Sequence, residues 1–196
     1  MPVKPDQLHG LLESLEGKPE LRLAVALVGL FGLRPGELLA IEARDGDLFV
    51  GDIKRNRYSA AKPKEQRLAM PLDLKELPGE GARVVAQLES GLVLLPTSIR
   101  NAKDFKACGH AFGQYLRRHA YWQHMLNTTQ GLTPYGFRHG FAWRGSLYYE
   151  RQIPYRALAK AMGHDPSTHL SYYGKFADQD DVKAAFNAIT RSLVAA

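Results

Sequence analysis

Apolar residues recur at helical spacing between Pro5 and Leu15, where Leu8, Leu11, Leu12 and Leu15 fall on one stripe. After Gly17 the run LRLAVALVGLFGL is apolar on every side. The pattern predicts a surface-packed helix followed by a central, buried one. Arg34 precedes Pro35, and a residue before proline is steered away from the α region. The central helix should therefore stop near Leu33, and another should open with Pro35 at its first position. Arg34 is thereby placed at a helix junction.

Short β-like runs follow, at about Leu48 to Ile53, Arg55 to Ala60 and Arg67 to Met70, separated by turn residues. They predict a small antiparallel sheet of three strands in an otherwise mainly α chain. After Pro78 the periodicity is helical again. One long segment, Ala102 to Leu126, carries Phe105, Cys108, Phe112, Tyr115, Leu116 and His119 along one side. Thr133-Pro134 reads as an N-cap with proline at the first helical position, opening a helix through about Tyr148. Pro154 opens the next helix and Gly163 closes it. Asp165-Pro166 repeats the cap and starts a short helix ending near Tyr173-Gly174. Between Asp180 and Val194, Val182, Ala185, Phe186, Ile189 and Leu193 form one stripe, which predicts a C-terminal docking helix.

Composition narrows the picture. The chain has 196 residues, 45% hydrophobic and 23% charged, an ordinary globular balance that excludes disordered and fibrous classes. No Ser/Gly-rich linker, low-complexity run or repeat interrupts it, and the reading is one domain over 1–196. The longest apolar stretch, Leu21 to Leu33, contains Arg22 and falls short of the roughly 18 residues a bilayer span needs. The N-terminus lacks an apolar signal core, so a membrane partner is not expected. A single cysteine, Cys108, forms no internal disulfide or thiolate cluster and fits a buried free thiol in a reducing compartment.

The formal charge is +6. Between Lys54 and Arg67 lie six basic residues, Lys54, Arg55, Arg57, Lys62, Lys64 and Arg67, against one acid, Glu65. Five of the six net positive charges thus fall in one short stretch, which favours contact with phosphates. Elsewhere, Arg34, Arg138 and His164 each fall at or within one turn of a predicted helix end, where backbone N–H groups and a cation converge on an anion. No P-loop, dinucleotide glycine motif or nucleophile elbow is present. A metal site is not expected either, because His119 and His124, like His164 and His169, are five apart and would diverge by about 140° on a continuous helix. No cofactor is expected.

At these positions the sequence resembles a known family. GLFGLRPGELLAIEARDGDL is similar to the first arginine motif of tyrosine recombinases, also called phage-type integrases. TPYGFRHGFAWR is similar to their second motif, AMGHDPSTHLSYYGKF to their Leu-Gly-His motif with its nucleophilic tyrosine, and AKPKEQRLAMPL to their hairpin lysine segment. The four occur in the family's order over about residues 5 to 190.

The resemblance implies the catalytic-domain fold of DNA breaking-rejoining enzymes and a site-specific recombinase or integrase that works through a 3′-phosphotyrosyl intermediate, without metal or ATP. Arg34 and Arg138 would clamp the scissile phosphate, since a guanidinium is always charged and donates in a fork. His164 would donate to the same phosphate. Lys62, with Lys64 as the alternative, would protonate the leaving 5′ oxygen. Tyr173, nine residues after His164, would be the nucleophile, with Tyr172 the competitor. The sequence departs from the family at Tyr135, where His or Lys is usual; its hydroxyl can still hydrogen-bond a phosphate oxygen. His139 is expected to be structural.

Double-stranded DNA is the implied partner. Lys54, Arg55, Arg57, Lys64 and Arg67 are expected to contact it, and Arg117 and Arg118, together with Lys103 and Lys106, are further candidates. The family usually adds an N-terminal core-binding domain that closes a clamp on DNA; the chain is expected to lack it, as a fragment or a minimal form. A tetramer on DNA is implied for the full protein, a monomer for the isolated domain, and a cytoplasmic, nucleoid-associated setting. The alternatives are DNA relaxation of the type IB topoisomerase kind and a DNA-binding module whose chemistry has lapsed.

Overall fold

The computed structural model describes residues 1–51, 66–149 and 153–173, with positions 183, 186 and 187. The chain divides into two compact units, Met1–Phe141 and Ala142–Ala196. Among the described residues no helix is long and apolar enough to cross a membrane.

The first unit is built on helix α1 (Pro5–Ser14) and helix α2 (Pro19–Phe31). Leu8, Leu11, Leu12 and Leu15 are fully buried, and α2 is buried on all sides from Leu23 to Phe31. The two helices approach closely at Gly29, where a Cβ would lie 2.8 Å from the Leu8 side chain. Helix α2 ends because Gly32 takes a left-handed conformation, φ 62°. A 3-10 turn, Pro35–Leu39, follows with proline at its start.

Among the described residues the sheet has three antiparallel strands in sequence order, β1 (Ile41–Arg44), β2 (Asp47–Val50) and β3 (Arg67–Ala69). The sequence runs at Leu48 and Arg67 correspond to β2 and β3, while the run at Arg55 to Ala60 lies outside the described residues. Strand β1 was not anticipated. Its pairing places Arg44 opposite Asp47, leaving a two-residue turn. Asp45 and Gly46 in that turn both have positive φ, 54° and 78°, as a tight hairpin of matching twist requires. The Glu89 carboxylate accepts hydrogen bonds from both turn amides.

Helix α3 (Glu80–Glu89) packs on α2, and a short α4 (Thr97–Arg100) precedes α5 (Phe105–Arg117) and α6 (Ala120–Thr128). The expected single helix from Ala102 to Leu126 is thus two helices. His119 has extended backbone (φ −101°, ψ 125°) and serves as the N-cap of α6. Helix α5 seats the 3-10 turn: a Cβ on Gly36 would meet the Phe105 carbonyl at 2.6 Å, and the buried Cys108 thiol donates to the Pro35 carbonyl. Burial pushes that thiol up to about 11.

Helix α7 (Gly136–Trp143) begins after a turn in which the Gly136 N–H donates to the Thr133 carbonyl, two residues later than the cap signature suggested. Phe137 anchors its start, stacked on Trp122 at 5.3 Å and edge-on to Phe112. Val3 N–H donates to the Gly136 carbonyl, so the N-terminal strand of chain is tied to the same point.

The second unit continues as a π-helical segment, Arg144–Tyr148, then α8 (Tyr155–Met162) and α9 (Pro166–Tyr173), which pack on each other. The stripe between Asp180 and Val194 lies almost wholly outside the described residues.

Candidate active site

Arg34 stands where α2 has ended and the 3-10 turn has not begun, with the extended backbone (φ −70°, ψ 142°) that a following proline imposes. Glu37, three residues on, folds back as the acidic half of a capping box: its Oε2 accepts the Arg34 N–H at 2.8 Å. Its Oε1 accepts Nη1 of the same arginine at 2.7 Å. Arg67, from β3, donates Nη2 to Oε2 at 2.6 Å. Arg138, from α7, brings Nη1 to 3.9 Å from Oε2. Three guanidinium groups from three distant segments therefore share one carboxylate that is only 2% exposed.

Arg138 is fully buried. Its Nη1 donates to the Gly32 carbonyl at 2.6 Å. That carbonyl belongs to the C-terminal end of α2, where unpaired carbonyls and the helix dipole both favour a cation. The left-handed glycine that terminates α2 thus also supplies the acceptor that holds Arg138.

The electrostatics follow from this geometry. Burial alone would push the Glu37 carboxyl up, but Arg67, Arg138 and Arg34 together hold it below the usual carboxylate range. Arg67 is lowered, chiefly by burial and further by Arg138 and Arg34, against the opposing pull of Glu37. Arg34 is raised: burial opposes its charge, and Glu37 and Tyr135 outweigh burial. Tyr135 is thereby placed beside Arg34 through its hydroxyl, and its ring packs edge-on against His139. Among the described residues, three guanidinium groups converge on the Glu37 carboxylate. Such a fork of donors is suited to a phosphate.

In the second unit, Gly163 closes α8 in a left-handed conformation. The His164 N–H bonds to the Ala159 carbonyl and the Gly163 N–H to the Lys160 carbonyl, the paired pattern of a Schellman motif. The Asp165 carboxylate then caps α9 by accepting from the Ser167 N–H and hydroxyl. His164 is therefore in the bend between two helices, and its Nε2 lies 3.0 Å from Nδ1 of His169. The divergence expected of histidines five apart does not arise, because no continuous helix joins them.

No protein-family model matches the sequence, and no curated protein matches it. Solved structures do. A XerA recombinase superposes with a TM-score of 0.66 at 15% identity, covering 95% of this chain and 64% of the XerA chain. A XerH site-specific recombinase, bound to a palindromic difH substrate in a post-cleavage complex, gives 0.56 at 16% identity, covering 94% of this chain and 52% of the XerH chain. The fold is that of a tyrosine recombinase catalytic domain. The chain spans between half and two thirds of the length of those two structures.

Within the tyrosine recombinase fold, the sequence-derived residues fall as follows. Arg34, Arg138 and Tyr135 come together in the first unit, joined by Arg67, which the charge pattern had grouped with the hairpin. His164 lies in the second unit, and Tyr173 is the last residue of α9. Lys62, Lys64, Lys54, Arg55 and Arg57 lie outside the described residues. Arg117 and Arg118 are exposed at the C-terminal end of α5; Lys106 is in its first turn and Lys103 just before it. Two residues were given no role in the sequence reading: Glu37, which lies within the first arginine segment, and His169, which was weighed only as a metal ligand. The signal for Glu37 was its position three after Arg34 at a helix start, the capping-box interval.

Proposed function

We propose that this chain is the catalytic part of a site-specific DNA recombinase that cleaves and rejoins strands through a tyrosine nucleophile. The observation that carries the reading is the convergence of Arg34, Arg67 and Arg138 on Glu37, an array of guanidinium donors in a recombinase fold. Arg34 and Arg138 take the non-bridging oxygens of the scissile phosphate and stabilise the charge that builds on them at the pentavalent stage. The Tyr173 oxygen forms a bond to phosphorus while the bond from phosphorus to the 5′ oxygen breaks. Lys62 gives that leaving oxygen a proton, and His164 donates to the phosphate. A phenol is a weak nucleophile with an ordinary pKa near 10, so its proton must leave as attack proceeds.

The 3′-phosphotyrosyl link retains the energy of the broken bond, so a 5′-hydroxyl from another strand can displace the tyrosine by the reverse path. The basic stretch from Lys54 to Arg67 supplies phosphate contacts along the duplex, and the full protein assembles as a tetramer on DNA. The test is a library of nicked suicide duplexes of randomised sequence incubated with the intact protein. The expected result is a covalent protein–DNA adduct with wild type and Tyr172→Phe and none with Tyr173→Phe. No adduct with wild type, or an adduct that survives Tyr173→Phe, overturns the assignment.

A further inference from the structure

We infer that His169 is a positioning residue for His164, holding its ring and fixing which of its nitrogens carries the proton presented to the phosphate. The inference rests on the reading of His164 as a phosphate donor and goes beyond it, because the resemblance gives no role to His169 within that segment.

The two imidazoles meet Nε2 to Nδ1 at 3.0 Å, with ring centroids 5.2 Å apart and planes tilted by 41°. Two ring nitrogens at that distance share one proton, with one ring donating and the other accepting. Whichever way the bond is polarised, the far nitrogen of His164 is set by it, since a neutral imidazole carries a single N–H. When His169 donates, His164 keeps its proton on Nδ1; when His169 accepts, Nδ1 of a neutral His164 is bare. The state of one ring thus decides whether the other can give a hydrogen bond to an anion.

The two partners are not equally fixed. His169 is 3% exposed within α9, where its backbone N–H is bonded to the Asp165 carbonyl. His164 is only partly buried and sits in the bend after Gly163. A buried ring that must keep a polar partner holds its place, and a half-exposed one follows it. Among the described residues a charged group beside His164 is Asp165, which is held below its usual range first by its bonds to Ser167 and in smaller part by His164. Position 173 comes one turn after position 169, on the same face of the helix. The short helix therefore carries the positioning histidine and the nucleophile position together.

The test uses the intact protein labelled with 15N in its histidines, comparing wild type, His169→Phe and His169→Asn. Asparagine places an amide where the Nδ1 of histidine stood and preserves the bond without an imidazole. The expected outcome is that His169→Phe shifts the His164 ring nitrogens toward a mixture of tautomers and slows adduct formation on nicked duplexes on the order of tenfold, about one hydrogen bond. His169→Asn restores both within a few-fold. Should His169→Phe fail to fold, His164→Ala must move the His169 ring signals. Unchanged His164 signals and unchanged adduct rate in a folded His169→Phe overturn the inference, as do unmoved His169 signals in His164→Ala. If wild type makes no adduct while the ring signals respond as stated, the proposed function fails and the pairing stands.

Discussion

Among the described residues of the first unit, the buried glutamates Glu37 and Glu80 each gather arginines, and they differ in an instructive way. Glu80, 5% exposed, accepts Nη1 of Arg22 from α2 and a two-pronged contact from Nε and Nη2 of Arg83 on its own helix. This joins α3 to α2. The cleft beside it, of about 440 Å³, is lined by Glu16 and Glu80 against Arg22 and Arg83, a balanced set. Glu37 gathers three arginines, one of them fully buried and a hundred residues away in sequence. Fastening two elements needs one cation from each, as Glu80 shows. Arg67 at Glu37 is lowered chiefly by burial and in smaller part by Arg138 and Arg34. A fork of guanidinium donors of this kind suits a phosphate, which the two cations at Glu80 on a balanced cleft do not offer.

The largest expected effect tests that contrast directly. Glu37→Ala removes the carboxylate that Arg34, Arg67 and Arg138 share, and should lower the unfolding free energy from urea titration by about 3–5 kcal/mol. Glu80→Ala should cost about 1–3 kcal/mol, because Arg83 is 46% exposed in its side chain and rehydrates. Equal losses would show that both glutamates are structural staples and that the Glu37 cluster has no special standing.

Next comes function without folding. Arg34 is partly exposed in its side chain, so Arg34→Ala should change stability by about 1 kcal/mol or less. Adduct formation should fall roughly 100- to 1000-fold, the cost of removing one donor to a developing oxyanion. Arg83→Ala should resemble it in stability and leave adduct formation unchanged. A comparable loss of activity in Arg83→Ala would break the comparison. A smaller effect is expected of Gly32→Ala: the site has φ 62°, and a Cβ would lie 2.6 Å from the Phe141 ring. The left-handed backbone alone should cost about 1–2 kcal/mol, and displacement of the carbonyl that holds Arg138 should lower adduct formation further than the melting temperature explains.

Much of this was legible in the chain. Arg34-Pro35 marked the junction, because proline constrains its predecessor whatever the tertiary context. Gly163 and Asp165-Pro166 marked the bend at His164 for the same reason: caps are local. Strand β1 was missed although Asp45-Gly46 announces a hairpin, since Ile41–Arg44 is too short and polar to read as a strand without its partner. The break at His119 was missed because Phe112, Leu116 and Met125 keep an apolar rhythm across it. Arg67 looked like one more charge of a basic stretch, and only folding places it on Glu37, thirty residues earlier. The meeting of His164 and His169 depends on the bend between α8 and α9, which a helical-wheel argument across a cap misjudges.

The smallest effect separates the two glutamates by acid. Both carboxyls are held below the ordinary range in the folded chain: burial opposes this in each case, and Arg67, Arg138 and Arg34 outweigh it at Glu37 while Arg83 and Arg22 do so at Glu80. A depressed folded value means that the unfolded chain binds the proton more readily. The stabilisation is therefore complete above the unfolded value, near pH 4.3, and is lost as pH falls through each folded value. Unfolding free energy should decline below about pH 4.5, and Glu37→Gln should flatten that decline more than Glu80→Gln, since more guanidinium groups converge on Glu37. Urea titrations between pH 3 and pH 6 on the three proteins measure it; identical acid limbs in the two variants would mean that the additional arginine at Glu37 does not strengthen the hold on its carboxylate.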